Sequence, residues 1–208
     1  KKFFKHNLPE ASWKTVFDAK YMPRNIGLIN DSRELIALAI KYQYGKLRAV
    51  NKQEIKTIKE LLIEQKKYAE AYSDFRGDFL LESGNCPVVI VPNAYVWKTL
   101  ENNKDLVFLI PQEGTFLGVE NFVIPKTSTK DQQVYQLINF LFQPKVQKHN
   151  FENYTFLSTR ADADYMFNNK ALKSSTYLMR PETPVRPEMF YNVLTDEQVN
   201  EIWLAVKG

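Results

Sequence analysis

Two hydrophobic periodicities alternate along the chain. From Asp31 or Ser32 to about Tyr44, Leu35, Leu38, Ala39 and Tyr42 recur at three- and four-residue spacing, which predicts an amphipathic helix. Asp31 or Ser32 supplies its N-cap and Gly45 its stop. A second helix begins at Asn51 and carries Ile55, Ile58 and Leu62. Glu54 follows the cap in the form of a capping box. Shorter helices are expected at Trp13 to Phe17 with Ser12 as cap, at Asp78 to Ser83 stopped by Gly84, and at Asn93 to Leu100. Strands are expected at Asn25 to Ile29, Tyr68 to Tyr72, Val88 to Val91 and Leu106 to Ile110. Strands alternating with helices in this way predict an α/β fold with a mostly parallel sheet.

The rhythm changes at Pro111. Thr115 to Ile124 reads as extended and is closed by Pro125. Asp131 to Phe142 is a strongly amphipathic helix with Val134, Leu137, Ile138 and Leu141 expected inward. Pro144 opens another helix, as proline does at a first turn. Arg160 to Met166 is a further helical candidate, and the proline-rich stretch Met179 to Pro187 reads as a loop. Asp196 to Val206 reads as a closing helix. No internal repeat is visible.

Composition narrows the function classes. With 208 residues, 44% of them hydrophobic, the chain suffices for one large domain or two small lobes and is not of disordered type. The net charge of +4 comes from scattered residues, without a Lys/Arg stripe interleaved with aromatics, so no nucleic-acid partner is expected. The longest apolar run, Pro87 to Pro92, is far too short to span a bilayer. No leader pattern opens the chain, which starts at Lys1 rather than Met, so export is neither indicated nor excluded. Cys86 is the single cysteine, which leaves no intrachain disulfide. Together with His6 and His149 it makes a poor metal set, and no metal or cofactor is expected. Cys86 precedes Pro87 at a strand start and reads as a buried, inert thiol, not as a nucleophile paired with His149. No nucleophile elbow, phosphate-binding glycine loop or zinc-protease motif occurs, and no catalytic residue is assigned.

Ligands of open α/β sheets bind at the carboxyl ends of the strands. The segment Leu28-Ile29-Asn30-Asp31-Ser32-Arg33-Glu34 runs from strand through turn to helix start. Asp31 and Glu34 stand three apart at a helix N-terminus, where two carboxylates suit an ammonium group. The alternative is plain capping, with Glu34 supporting the macrodipole. Arg33 is expected to pair with a carboxylate or to reach solvent. Glu120, in Gly118-Val119-Glu120-Asn121, lies where the architecture changes, and is either a cleft residue or an exposed strand charge. Tyr154 either stacks on an alkyl amine or packs in a core.

The ordered pattern Trp13-Lys14-Thr15-Val16-Phe17-Asp18, Tyr21, Gly27 through Glu34, Leu80-Leu81-Glu82-Ser83-Gly84, Pro111-Gln112-Glu113-Gly114, Phe122-Val123-Ile124-Pro125 and Leu137 through Pro144 resembles the spermidine/putrescine-binding proteins of ABC importers. The closing Glu201 through Gly208 resembles that family's C-terminus. The resemblance implies a type II periplasmic binding protein-like α/β fold, with one complete lobe and part of a second. On that basis residues 1–11 end a first-lobe segment and 12–114 form the second lobe. Residues 115–158 return to the first lobe and 159–208 pack back on the second. It further implies that Asp31, Glu34, Glu120 and Tyr154 contact a polyamine held between lobes that close by a hinge motion. Carboxylates would hold the amines and aromatic faces the methylenes. The implied partner is a membrane ABC permease, and the implied location is periplasmic or that of an extracytoplasmic lipoprotein. Gly118 and, after the Val88–Val91 strand, Pro92 or its neighbour stand where the family carries tryptophans along the alkyl chain, with Tyr95 and Trp97 nearby. The rival readings are the same fold with another amine or a sugar, an unconventional α/β enzyme using Asp31 and Glu120 as acid and base, and an interaction or sensor module. An incomplete lobe would also expose an apolar surface, through which two copies could form a homo-dimer.

Overall fold

The computed structural model describes residues 3–4, 8–74, 77–154, 157–160, 162–163 and 187–208, the side chains of 97 and 98 excepted. Contacts divide the chain into two compact units, Lys1–Leu117 with Met179–Gly208, and Gly118–Leu178.

The larger unit is organised around β1 (Ile26–Ile29), whose four residues are all buried. A short apolar run can bury both faces only when elements cover both sides of it. On one edge β1 pairs in parallel with β2 (Ala69–Ser73), in the register Gly27 to Ala71, Leu28 to Tyr72 and Ile29 to Ser73. On the other edge the Gly27 amide donates to Val88 O at 2.9 Å, and Gly27 O accepts from the Ile90 amide at 2.9 Å. This approach requires glycine: a Cβ at Gly27 would lie 2.9 Å from both Leu80 Cδ1 and Val89 Cγ2.

The expected helices form with their expected local signals. After α1 (Lys14–Phe17), α2 (Ser32–Tyr44) is capped by Asp31 and ends at Gly45 with φ 78°, a left-handed conformation that glycine adopts without strain. The capping box of Asn51 and Glu54 starts α3 (Lys52–Lys66). The short α4 (Asp78–Glu82) and α5 (Asn93–Asn102) follow. Ser12 differs in detail from the expectation. Trp13 occupies the cap position of α1, while Ser12 Oγ accepts the Lys14 amide at 3.2 Å and donates to Glu113.

The strand expectations were too generous. Val88 to Val91 contributes only a bridge at Val89 opposite Gly27, and Leu106 to Ile110 is irregular. A β-branched run becomes a strand only where a free sheet edge accepts its ladder, and periodicity does not report that edge. Of Thr115 to Ile124 only β3 (Phe116–Leu117) is a strand. It pairs in parallel with β4 (Glu188–Met189). The remainder is irregular, with Phe122 and Val123 exposed. Among the described residues the sheets are thus parallel but two-stranded.

The smaller unit holds α6 (Asp131–Leu141) and α7 (Pro144–Tyr154). The inward placement expected for α6 holds for Val134, Ile138 and Leu141, which are half-buried where the helix's other residues are exposed, and fails for Leu137, which is 57% exposed. Spacing says which face of a helix is apolar, whereas burial needs a partner surface. In α7, by contrast, Phe151 is buried. Most of the helix expected from Arg160 to Met166, and of the loop expected from Met179 to Pro187, lies outside the described residues; Arg160, Asp162 and Ala163 are not helical.

A capping box of Thr195 and Gln198 starts α8 (Asp196–Lys207), whose Val199, Ile202 and Val206 are buried. They join Leu28, Leu35, Ile36, Ile40, Ile58 and Leu62 in one cluster, so α2, α3 and α8 share the core that covers β1. Lys41 of α2 is buried within it, only 2% exposed, and its ammonium pairs with Glu188 of β4.

Candidate functional site

Asp31 and Glu34 lie where β1 gives way to α2. Asp31 Oδ1 accepts the Glu34 amide at 2.9 Å, so the capping role is real. The Glu34 carboxylate is half-buried and has no ion-pair or hydrogen-bond partner among the described residues. Burial, then the negative charge of Asp31, raises its pKa above the usual carboxylate range. The amide-rich helix end offsets part of this repulsion. A cation at the mouth would relieve it further.

Arg33, between the two acids, is engaged elsewhere: its guanidinium pairs with Asp196 at the start of α8. Another carboxylate, missed by the sequence reading, stands beside Asn30, the residue before Asp31. Asp74 follows the end of β2, and its Oδ1 accepts Asn30 Nδ2 at 3.1 Å. The Asn30 amide donates to Ser73 O at 2.8 Å, which holds the two strand ends level. Applying the carboxyl-end rule to β2 as well as β1 would have found it.

Glu120 and Tyr154 lie in the smaller unit. Glu120 is exposed in the irregular segment before α6, and Tyr154, the last residue of α7, is 62% exposed. The structure therefore brings Asp31 and Glu34 together on one helical turn, and gives Glu120 and Tyr154 separate positions in the other unit. A Cβ at Gly118 would meet no atom within 4 Å. Among the described residues no group of acids, histidines and cysteine is arranged to hold a metal. Cys86 is buried, and burial, then the charge of Glu70, pushes its thiol pKa up, as an inert thiol requires. Among the described residues no helix is long and apolar enough to cross a membrane.

Comparison with known proteins supplies the context. The family model of bacterial extracellular solute-binding proteins matches residues 1–175. A putrescine/agmatine-binding protein of Pseudomonas aeruginosa is 28% identical over 148 residues, covering 66% of this chain and 40% of the relative. A putrescine/cadaverine-binding protein of the same organism is 22% identical over 98% of this chain and 60% of its own length. The chain therefore spans about two to three fifths of these curated relatives. A solved structure assigned to a spermidine/putrescine ABC transporter of Listeria monocytogenes superposes with a TM-score of 0.78. It is 23% identical, over all of this chain and 64% of its own.

Proposed function

The chain belongs to the bacterial extracellular solute-binding proteins, and from that premise we propose that it captures a polyamine of the putrescine or spermidine type for an ABC importer. Its fold is that of the type II periplasmic binding proteins. Family membership places it outside the cytoplasm. We read the location as periplasmic or, with a lipid anchor, on the outer face of the membrane. The larger unit is read as the second lobe and the segment around α6 and α7 as the returning part of the first.

One observation carries the proposal: two carboxylates on the first turn of α2, one of them half-buried with its pKa raised and no cationic partner. A primary ammonium supplies the missing positive charge, and its N–H donors suit both acids. In the assembled binding protein Glu120 would hold a second amine and Tyr154 would cover methylenes. No turnover is proposed, since the carboxylates act as receptors and the chemistry ends at capture and delivery to the permease.

Thermal unfolding with putrescine, cadaverine, spermidine, spermine and arginine tests this, both on the chain and on a chimaera preceded by the unmatched part of a two-lobed relative. At a ligand concentration one hundred times Kd, stabilisation of about 2.7 kcal/mol is expected. Asp31→Asn separates the roles of the site. Asparagine caps as well as aspartate, so unliganded stability should hold within about 0.5 kcal/mol while the amine response is lost. Asp31→Ala should in addition cost about 1 kcal/mol. If no amine stabilises either protein, the polyamine reading fails and the fold assignment stands.

The exposed apolar side chains Leu137 and Phe140 of α6 support self-association of the chain as a second part of this reading. Light scattering should show a concentration-dependent rise in mass that Leu137→Glu abolishes. A monomer at all concentrations would end that part alone.

A further inference from the structure

The outer side of α3 carries a row of cations that the proposed solute site does not use. Ile55, Ile58, Leu62 and Gln65 turn into the core, while Lys52, Lys56, Lys59 and Lys66 recur at helical spacing along an adjoining stripe. Lysines scattered in the sequence are thus gathered into a line about 21 Å long, at 1.5 Å per residue. The neighbouring α8 runs beside it: Lys59 pairs with Glu201 at 2.8 Å, and Lys66 Nζ donates to Lys207 O at 3.0 Å. At the start of the stripe a groove of about 360 Å³ lies between the helices, lined by Lys52, Ile55, Lys56, Lys59, Gln198 and Glu201. Ile63 and Leu204, both exposed, fall in sequence between the two cross-helix bonds.

The fold itself does not account for these charges. Lys52 is the first residue of α3, the positive end of the helix, where a cation is disfavoured. It has no carboxylate partner among the described residues. Lys56 approaches Glu60 only at 3.9 Å with both side chains exposed, a pair of little worth. At the far end the Lys207 ammonium lies 3.5 Å from the Tyr72 ring centroid, and burial, then the charge of Lys66, lowers its pKa. Negative charge from outside the chain would relieve both ends of the stripe. We propose that the α3–α8 face lies on an anionic lipid surface, with the lysine stripe over headgroup phosphates. A single phosphate meets at most two of these lysines, whereas the length of the stripe suits an array of headgroups. Apolar side chains among the cations suit the boundary between headgroups and acyl chains. Family membership places the chain outside the cytoplasm, where a membrane leaflet offers such a surface. The inference rests on that location and not on the polyamine reading, so either can fail without the other.

Co-sedimentation of the chain with phosphatidylcholine vesicles, with and without phosphatidylglycerol, tests this with no amine present. Binding is expected only where phosphatidylglycerol is included, and salt near 1 M, which screens charges within about 3 Å, should release it. Each lysine near such a surface contributes about fivefold, so Lys52→Gln/Lys56→Gln should weaken binding by about tenfold or more. Lys20→Gln/Lys126→Gln removes the same charge from exposed positions off this face and should leave binding nearly unchanged. Equal loss in the two double variants would overturn the proposal by reducing it to net charge. Absence of a preference for phosphatidylglycerol would overturn it as well. So would release by inorganic phosphate but not by chloride at matched ionic strength, which would mark a discrete phosphate site.

Discussion

Glu188→Ala lowers the stability of the chain by about 3 kcal/mol in urea unfolding at neutral pH, the expected cost of stranding a buried ammonium. Lys41 lies on α2 within the core and pairs with Glu188, whose other oxygen accepts the Leu47 amide at 3.0 Å. Glu188 is itself 33% exposed, which sets the expectation at the lower end for a broken buried pair. Lys41→Met in the same background should recover most of the loss, since replacing both partners removes the charge along with its need for a counter-ion. A loss below about 1 kcal/mol in Glu188→Ala would show that water reaches Lys41.

The same pair makes stability depend on acid. Burial raises the Glu188 pKa, but the hydrogen bond from Lys41, the Leu47 amide and the charges of Lys41 and Lys46 outweigh it, and the net direction is down. A carboxyl whose folded pKa is depressed contributes stability that is present above its unfolded value of about 4.3 and is lost as pH falls through the folded value. Urea midpoints should therefore drop below about pH 4 in the native chain and less steeply in Glu188→Gln.

The second large effect is expected at Ile202. It is fully buried on α8, in the cluster with α2 and α3. Ile202→Ala should destabilise by about 2–5 kcal/mol, from lost transfer energy plus the cavity left behind. Leu204→Ala on the same helix is the control: Leu204 is 72% exposed, and its loss should stay within about 0.5 kcal/mol. Equal costs at the two positions would mean that α8 does not pack as described.

The half of the candidate site at α2 was legible because its geometry is local. Asp31 and Glu34 share a turn through bonds that span three residues, and strand-then-cap patterning brings them to a strand end without knowledge of the rest of the fold. Asp74 was not legible in the same way. Its place beside Asn30 depends on the parallel register of β1 and β2, set by a pairing across more than forty residues. Glu120 and Tyr154 came from a resemblance and not from periodicity, and the structure describes them in the smaller unit alone.

By itself the sequence determined α2 and α3 and where they start, and the end of α2, since caps, capping boxes and a left-handed glycine act within a few residues: Asp31 on Glu34, Asn51 on Glu54, Gly45 after Tyr44. It also determined the α/β class and the buried state of Cys86. Only the tertiary structure decided which apolar runs become strands, as Val88 to Val91 and Leu106 to Ile110 show, because a ladder needs a partner edge. Only it decided that Leu137 on the apolar face of α6 stays exposed, that Lys41 is buried against a carboxylate 147 positions away, and that Glu113 reaches Ser12 across 101. Those outcomes depend on which distant surfaces meet, and local pattern carries no record of the meeting.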